Sequence, residues 1–176
     1  MFPILGIAAF VLLAVLLVRA AATPDTFRVQ RATTIDAPPD KVFTLINDFQ
    51  RWEAWSPFEK FDPAMKRSYS EPAAGMGAVY AWESRGKAGA GWMEITESSP
   101  IRVTIRLDVF EPFETRNVAQ FTLRPEGEGD STSVTWSVKG SSPFLAKLMS
   151  LFFNIDRAIG RNFETGLANL KAVAEA

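Results

Sequence analysis

The sequence contains no histidine and no cysteine. The first absence removes Ser-His-Asp catalysis, histidine-ligated zinc or haem, and any histidine pH switch. The second removes disulfides, thiolate nucleophiles, iron–sulfur clusters and zinc fingers. A surplus of positive charge is also missing: 19 Lys+Arg stand against 20 Asp+Glu in 176 residues. No bulk basic field is there to hold nucleic acid. No metal, cofactor or nucleic-acid partner is expected. Hydrophobic residues make up 47% and charged residues 22%, enough to bury one core and short of two domains.

Residues 1–18, MFPILGIAAFVLLAVLLV, carry no charged side chain. As a helix at ~1.5 Å per residue they reach roughly 27 Å, near the ~30 Å of a bilayer core. The expectation is a transmembrane anchor over 1–19, a linker over 20–26 and a domain over 27–176. Arg19, Arg28 and Arg31 follow the apolar run and nothing basic precedes it. The positive-inside rule then gives a single-pass inner-membrane protein with its C-terminal domain cytoplasmic. The alternative is a periplasmic or secreted protein cleaved near Ala22, within the Ala20-Ala21-Ala22 run.

Beyond the linker the chain reads strand, helix, several strands, long helix. Residues 27–35 are rich in β-branched side chains and stop at Pro38-Pro39. Val42, Phe43, Ile46 and Phe49 then take helical spacing. The aromatic and charged residues 50–63 are expected as a short helix or turn over one end of the core. Period-two alternation dominates from Met65 to Lys139, with one wet face, as in an antiparallel meander. A turn at Gly86-Lys87 sets Trp82 against Gly91 and Ala81 against Trp92, each large ring facing a small residue. A stripe from Leu148 through Phe152, Ile155, Ile159, Phe163, Leu167 and Leu170 to Val173 predicts one long C-terminal helix starting at Ser142-Pro143. The expected fold is α+β: a curved antiparallel sheet of about six or seven strands wrapped around that helix, behind an N-terminal transmembrane helix.

The segments TTIDAPPDKVFTLINDFQRWEAWSPFEK (33–60), DPAMKRSYSEPAAGMGAVYAWES (62–84), GWMEITES (91–98) and FETGLANLKA (163–172) carry a resemblance. They resemble the SRPBCC superfamily, its polyketide-cyclase/START-like group, and within it a membrane-anchored bacterial subgroup. The resemblance spans about residues 27–174. It implies the helix-grip fold and a deep apolar cavity between sheet and helix, similar to lipid-transfer, sterol-binding and aromatic polyketide cyclase domains. It implies no single activity, because function in such a fold lives in the site.

Candidate ligand-binding residues come from the inferred inward faces: Tyr80, Trp82 and Met93 on the hairpin, Phe121 and Trp136 on later strands, Phe152 and Phe163 on the helix. Trp55 and Phe58 are expected near the entrance. Asn117 is the one polar residue on an inward strand face and is placed to orient a ligand. Each of these also fits a filled core. Gly160 and Gly166 in the long helix leave room for a ligand or for close packing. Glu83 and Glu94 fall on one hairpin face, one strand position out of direct opposition, and read as a solvated pair. Arg102, Arg106 and Asp108 read as outward surface ion pairs, and Trp92 as outward too. Three functions compete. The first is a non-catalytic, membrane-tethered, monomeric binding domain for a hydrophobic small molecule or lipid. The second is a polyketide cyclase/dehydratase-type enzyme. The third is a protein–protein interaction module at the membrane, using Trp92 and residues 50–63.

Overall fold

The computed structural model describes residues 10, 14–86, 88–111, 114–150 and 154–176. Strand β1 (Thr26–Ile35) alternates so that Val29 and Ile35 turn inward and are buried. Helix α1 (Pro39–Ile46) begins at the proline pair, where a missing N–H has no helical partner to lose. It buries Val42, Leu45 and Ile46. The aromatic segment becomes two 3₁₀ turns, Phe49–Ala54 and Pro57–Lys60. The first is capped by the Asp48 carboxylate, which accepts from the Gln50 N–H at 2.9 Å. Two indoles tie the turns to the end of α1: Trp52 Nε1 donates to Ile46 O at 2.9 Å and Trp55 Nε1 to Leu45 O at 3.1 Å.

Six further strands follow: β2 (Lys66–Tyr69), β3 (Val79–Glu83), β4 (Ala90–Ser99), β5 (Arg102–Glu111), β6 (Thr115–Glu126) and β7 (Ser131–Ser141). They form one sheet of seven strands in the order β1-β7-β6-β5-β4-β3-β2. Every adjacent pair is antiparallel. The β3/β4 register sets Trp82 opposite Gly91 and Ala81 opposite Trp92, as the ring-against-small pattern requires. An added Cβ at Gly91 would stand 2.6 Å from both the Trp82 ring and the Asp108 carbonyl oxygen. In this register Glu83 faces Ala90 and Glu94 faces Val79. The two carboxylates therefore sit at opposite ends of β3 and are not a near-opposed pair. On the outward face the Arg106 guanidinium lies 4.8 Å from the Trp92 ring centroid and 2.8 Å from Asp108. Asp108 is buried rather than solvated.

The C-terminal stripe is not one helix. It divides into α2 (Phe144–Ser150) and α3 (Ile155–Glu175). The Asn154 side chain accepts from the Arg157 N–H at 2.8 Å and starts α3 afresh. Helix α3 lies along β1 and buries Phe163, Leu167, Leu170 and Ala174. This is the helix-grip arrangement. At Gly166 the helix packs directly on the aromatic wall: an added Cβ would meet Trp136 Cζ3 at 2.7 Å and Pro57 Cδ at 3.0 Å. Gly166→Ala is therefore expected to destabilise by roughly 1–3 kcal/mol through overpacking. In an open site the same change would stabilise by about 1 kcal/mol through helix propensity. The shift of the urea midpoint gives the sign. Gly160 makes room for a protein group instead of a ligand, because the Arg31 guanidinium occupies the space of a side chain there. Arg31 reaches α3 from β1, bonding Asp156 at 2.9 Å and Glu164 at 2.7 Å.

Arg31 holds the Asp156 carboxyl below its ordinary range through a hydrogen bond. The Ser84 hydroxyl does the same for Asp62, and the Asp36 N–H with Lys171 for Glu175. In each case the unfolded state takes up the proton first. The stabilisation is present above the ordinary carboxylate range and is lost as pH falls through about 4 and below. Melting temperature is expected to fall steadily from about pH 5 to pH 3, and less steeply in Asp156→Asn.

The membrane expectation is corrected. No helix among the described residues is long and apolar enough to cross a membrane. The single-pass inner-membrane reading, and the transmembrane helix preceding the fold, are therefore not supported. Residues 14–22 are helical, and residues 1–9 and 11–13 of the expected anchor lie outside the described residues.

Candidate functional site

A cavity of about 270 Å³ lies between the concave face of the sheet and α3. Inward alternation builds its sheet side: Met93 from β4, Leu107 and Val109 from β5, Ala119 from β6, Val138 from β7. Ile159 and Phe163 close it from α3, and Phe58 and Phe61 from the second 3₁₀ turn. Of the residues expected there, Tyr80, Trp82, Met93, Asn117, Trp136, Phe163 and Phe58 line the cavity. Trp55 and Phe121 do not. Both are fully buried in the packed core, where they brace Trp136 at centroid distances of 5.6 and 4.9 Å. Trp55 is thus a core residue and not one at the entrance. Phe152 lies outside the described residues.

Trp136 is the centre of this aromatic wall. Phe163 stacks on its indole at 4.1 Å with 9° between planes, and Phe121 stacks at 4.9 Å and 27°. The ring is clamped and cannot turn without breaking both stacks.

Four groups absent from the predicted set are polar: Glu59 and Ser56 line the cavity, while Arg67 and Tyr69 contact the Glu59–Tyr80 pair. Glu59, 6% exposed, turns inward from the second 3₁₀ turn. Its Oε1 accepts from the Tyr80 hydroxyl at 2.8 Å and its Oε2 from Arg67 Nε at 2.6 Å. Arg67 also donates to the Glu59 carbonyl at 2.9 Å. Burial, then the bond to Glu59, pushes the Tyr80 phenol well above its ordinary value. The Glu59 contact raises the Arg67 guanidinium as well. Tyr69 stacks on Tyr80 at 5.1 Å, and its own phenol is raised by burial. The cluster joins a phenol donor, a carboxyl group with both oxygens engaged, and a guanidinium. Ser56 is the fourth group, wholly buried on the cavity wall.

Three buried polar atoms on cavity-lining residues have no hydrogen-bond partner: Ser56 Oγ, Asn117 Oδ1 and Trp136 Nε1. The Asn117 amide is anchored at its other end, with Nδ2 donating to Thr115 Oγ1 at 3.0 Å. Asp48 is spent on capping and on Arg51 at 3.3 Å. Among the described residues no cluster of carboxylates could hold a metal ion. A groove of about 640 Å³ runs along the outward faces of β1, β7, β6 and β5, lined by Arg28, Arg106, Arg116 and Lys139 around Asp108. Its charged side chains set it apart from the inner cavity, although Phe27, Val118 and Gly140 also line it.

Comparison with known proteins agrees with this geometry. A family model described as polyketide cyclase/dehydrase and lipid transport matches residues 26–175. No curated protein sequence matches the chain. Among solved structures it is similar to protein SA2116 of unknown function from Staphylococcus aureus, at 15% identity and a TM-score of 0.62, over 85% of this chain and 94% of that one. Protein CV1439 from Chromobacterium violaceum aligns at 17% identity and a TM-score of 0.59, over 87% and 99%. The structure of Ara h 8.0201 aligns at 12% identity and a TM-score of 0.55, over 85% and 97%. At these identities the likeness is one of fold.

Proposed function

The chain belongs to the polyketide cyclase/dehydrase and lipid transport family, and from that premise we propose that it is a non-catalytic binding domain for a hydrophobic small molecule. The observation that carries the reading is the apolar, aromatic-walled cavity between sheet and α3. Ligand sites are concave, mostly apolar, and carry a few fixed polar groups. At about 270 Å³ the cavity lies just below the ~300–1,000 Å³ usual for such sites. It suits a ring compound or short chain rather than a whole two-chain lipid. The polar cluster argues for binding over proton transfer. Tyr80 points its proton at Glu59, and both Glu59 oxygens are already occupied. A general acid or base must reach the substrate at hydrogen-bond distance with a proton or lone pair to spare.

The test is extraction of the purified full chain into organic solvent, with mass spectrometry of what is released. An apolar species near one equivalent is the expected result. No bound species, together with no saturable uptake of added apolar ligands, would overturn the reading.

A further inference from the structure

The three unpartnered polar atoms on the cavity wall say what the ligand carries. From them we infer that the cavity takes an uncharged, oxygen-bearing apolar molecule, whose carbonyl or hydroxyl oxygen accepts hydrogen bonds from Trp136 Nε1 and Ser56 Oγ. The inference rests on the binding reading above and adds the chemical class of the ligand.

An indole N–H is a donor only, so it is satisfied by an acceptor and by nothing else. Trp136 is 3% exposed, and its ring is held between Phe163 and Phe121, so the donor cannot swing to another partner. Ser56 is 0% exposed. Its backbone N–H is already committed to Trp52 O at 2.7 Å, leaving the hydroxyl for the cavity. Buried polar groups without partners are rare in folded proteins, and those that occur call for a specific explanation. Here the three lie on residues lining one cavity, where a polar atom of a bound molecule satisfies them. Asn117 Oδ1 adds an acceptor suited to a hydroxyl or amide N–H elsewhere on the ligand.

The charge of the ligand follows from the same wall. Among the described lining residues Glu59 is the one acidic or basic side chain, and it is paired with Arg67. A carboxylate or phosphate entering the cavity would lose its hydration and meet no free cation. An ammonium group would find both Glu59 oxygens taken.

A matched set of naphthalene probes tests this. The full chain is titrated with N-phenyl-1-naphthylamine, and 2-acetylnaphthalene, 2-ethylnaphthalene and 2-naphthoate are used to displace it. Transfer from water alone favours the hydrocarbon, because the ketone gives up hydration. The expected result is the reverse order: the ketone binds about two- to tenfold tighter than 2-ethylnaphthalene, and 2-naphthoate binds weakest. Trp136→Phe keeps an aromatic ring and removes the donor, so the ketone-to-hydrocarbon affinity ratio should fall to one or below. Ser56→Ala should lower the ratio independently. Equal or tighter binding of the hydrocarbon by the wild-type chain overturns the inference while leaving the binding reading intact. A ratio unmoved in both variants also overturns it. Displacement by none of the probes, with no saturable dye signal, overturns the binding reading and this inference with it. The wild-type order decides the matter even where Trp136→Phe does not fold.

Discussion

Glu59→Ala is expected to cost about 3–5 kcal/mol of stability, the range for removing one partner of a buried ion pair. In a chain of this size that is a drop of roughly 6–20 °C in melting temperature. The carboxylate is 4% exposed and its guanidinium partner 22% exposed. Removing it leaves the Arg67 charge half-enclosed and the Tyr80 hydroxyl without its acceptor. Arg67 keeps its bond to the Met65 carbonyl at 3.0 Å, which places the loss toward the lower end. The contrast is Glu114→Ala. That carboxylate and Arg116 are 69% and 75% exposed and 3.5 Å apart. Such surface pairs are worth about 0–1 kcal/mol. Denaturant melts of the two variants measure both. A loss under 1 kcal/mol in Glu59→Ala would mean that the cluster is solvated and does not shape the cavity edge.

The second large effect is on binding. Ala119 points into the cavity from β6, between Ile105 of β5 and Val138 of β7. A phenylalanine there grows into the space a ligand needs. Displacing some 80 Å² of buried apolar contact at ~25 cal/mol/Å² costs about 2 kcal/mol, or roughly thirtyfold in affinity. Ala119→Phe is therefore expected to weaken apolar-dye binding at least thirtyfold. Overpacking should cost only about 1–3 kcal/mol of stability, because the ring has a cavity to enter. Unchanged affinity in a folded variant would place the binding elsewhere on the molecule.

Local alternation carried far along this sequence. The Trp82/Gly91 register, the inward Asn117 and the sheet-facing Phe163 all follow from period and from pairing large with small. Alternation says which way a side chain points, and not whether it stands on a cavity wall or behind it. Hence alternation and aromaticity put Trp55 and Phe121 among the expected ligand contacts, whereas both lie in the core. Glu59 was invisible for another reason. Its partners are 8 and 21 residues away, and only the sheet brings Arg67 and Tyr80 to it. A carboxylate among charged neighbours reads as solvent-facing until those partners are known. Arg31 is similar: alternation aims it inward, but its justification lies at Asp156 and Glu164 on α3. The break in the C-terminal helix hid under an unbroken three-and-four spacing, although Asn154 carried the signal of a cap. Hydropathy alone makes the opening apolar run an anchor, yet no described helix has the length and apolarity to span a bilayer.

The central claim is that the space between sheet and α3 is a ligand site. Fluorescence titration of the full chain with N-phenyl-1-naphthylamine, wild type beside Ala119→Phe, tests it most directly. The account predicts a saturable, one-to-one rise in emission for the wild type and its loss in the folded variant. A wild-type signal that never saturates, or one that survives Ala119→Phe undiminished, would contradict it.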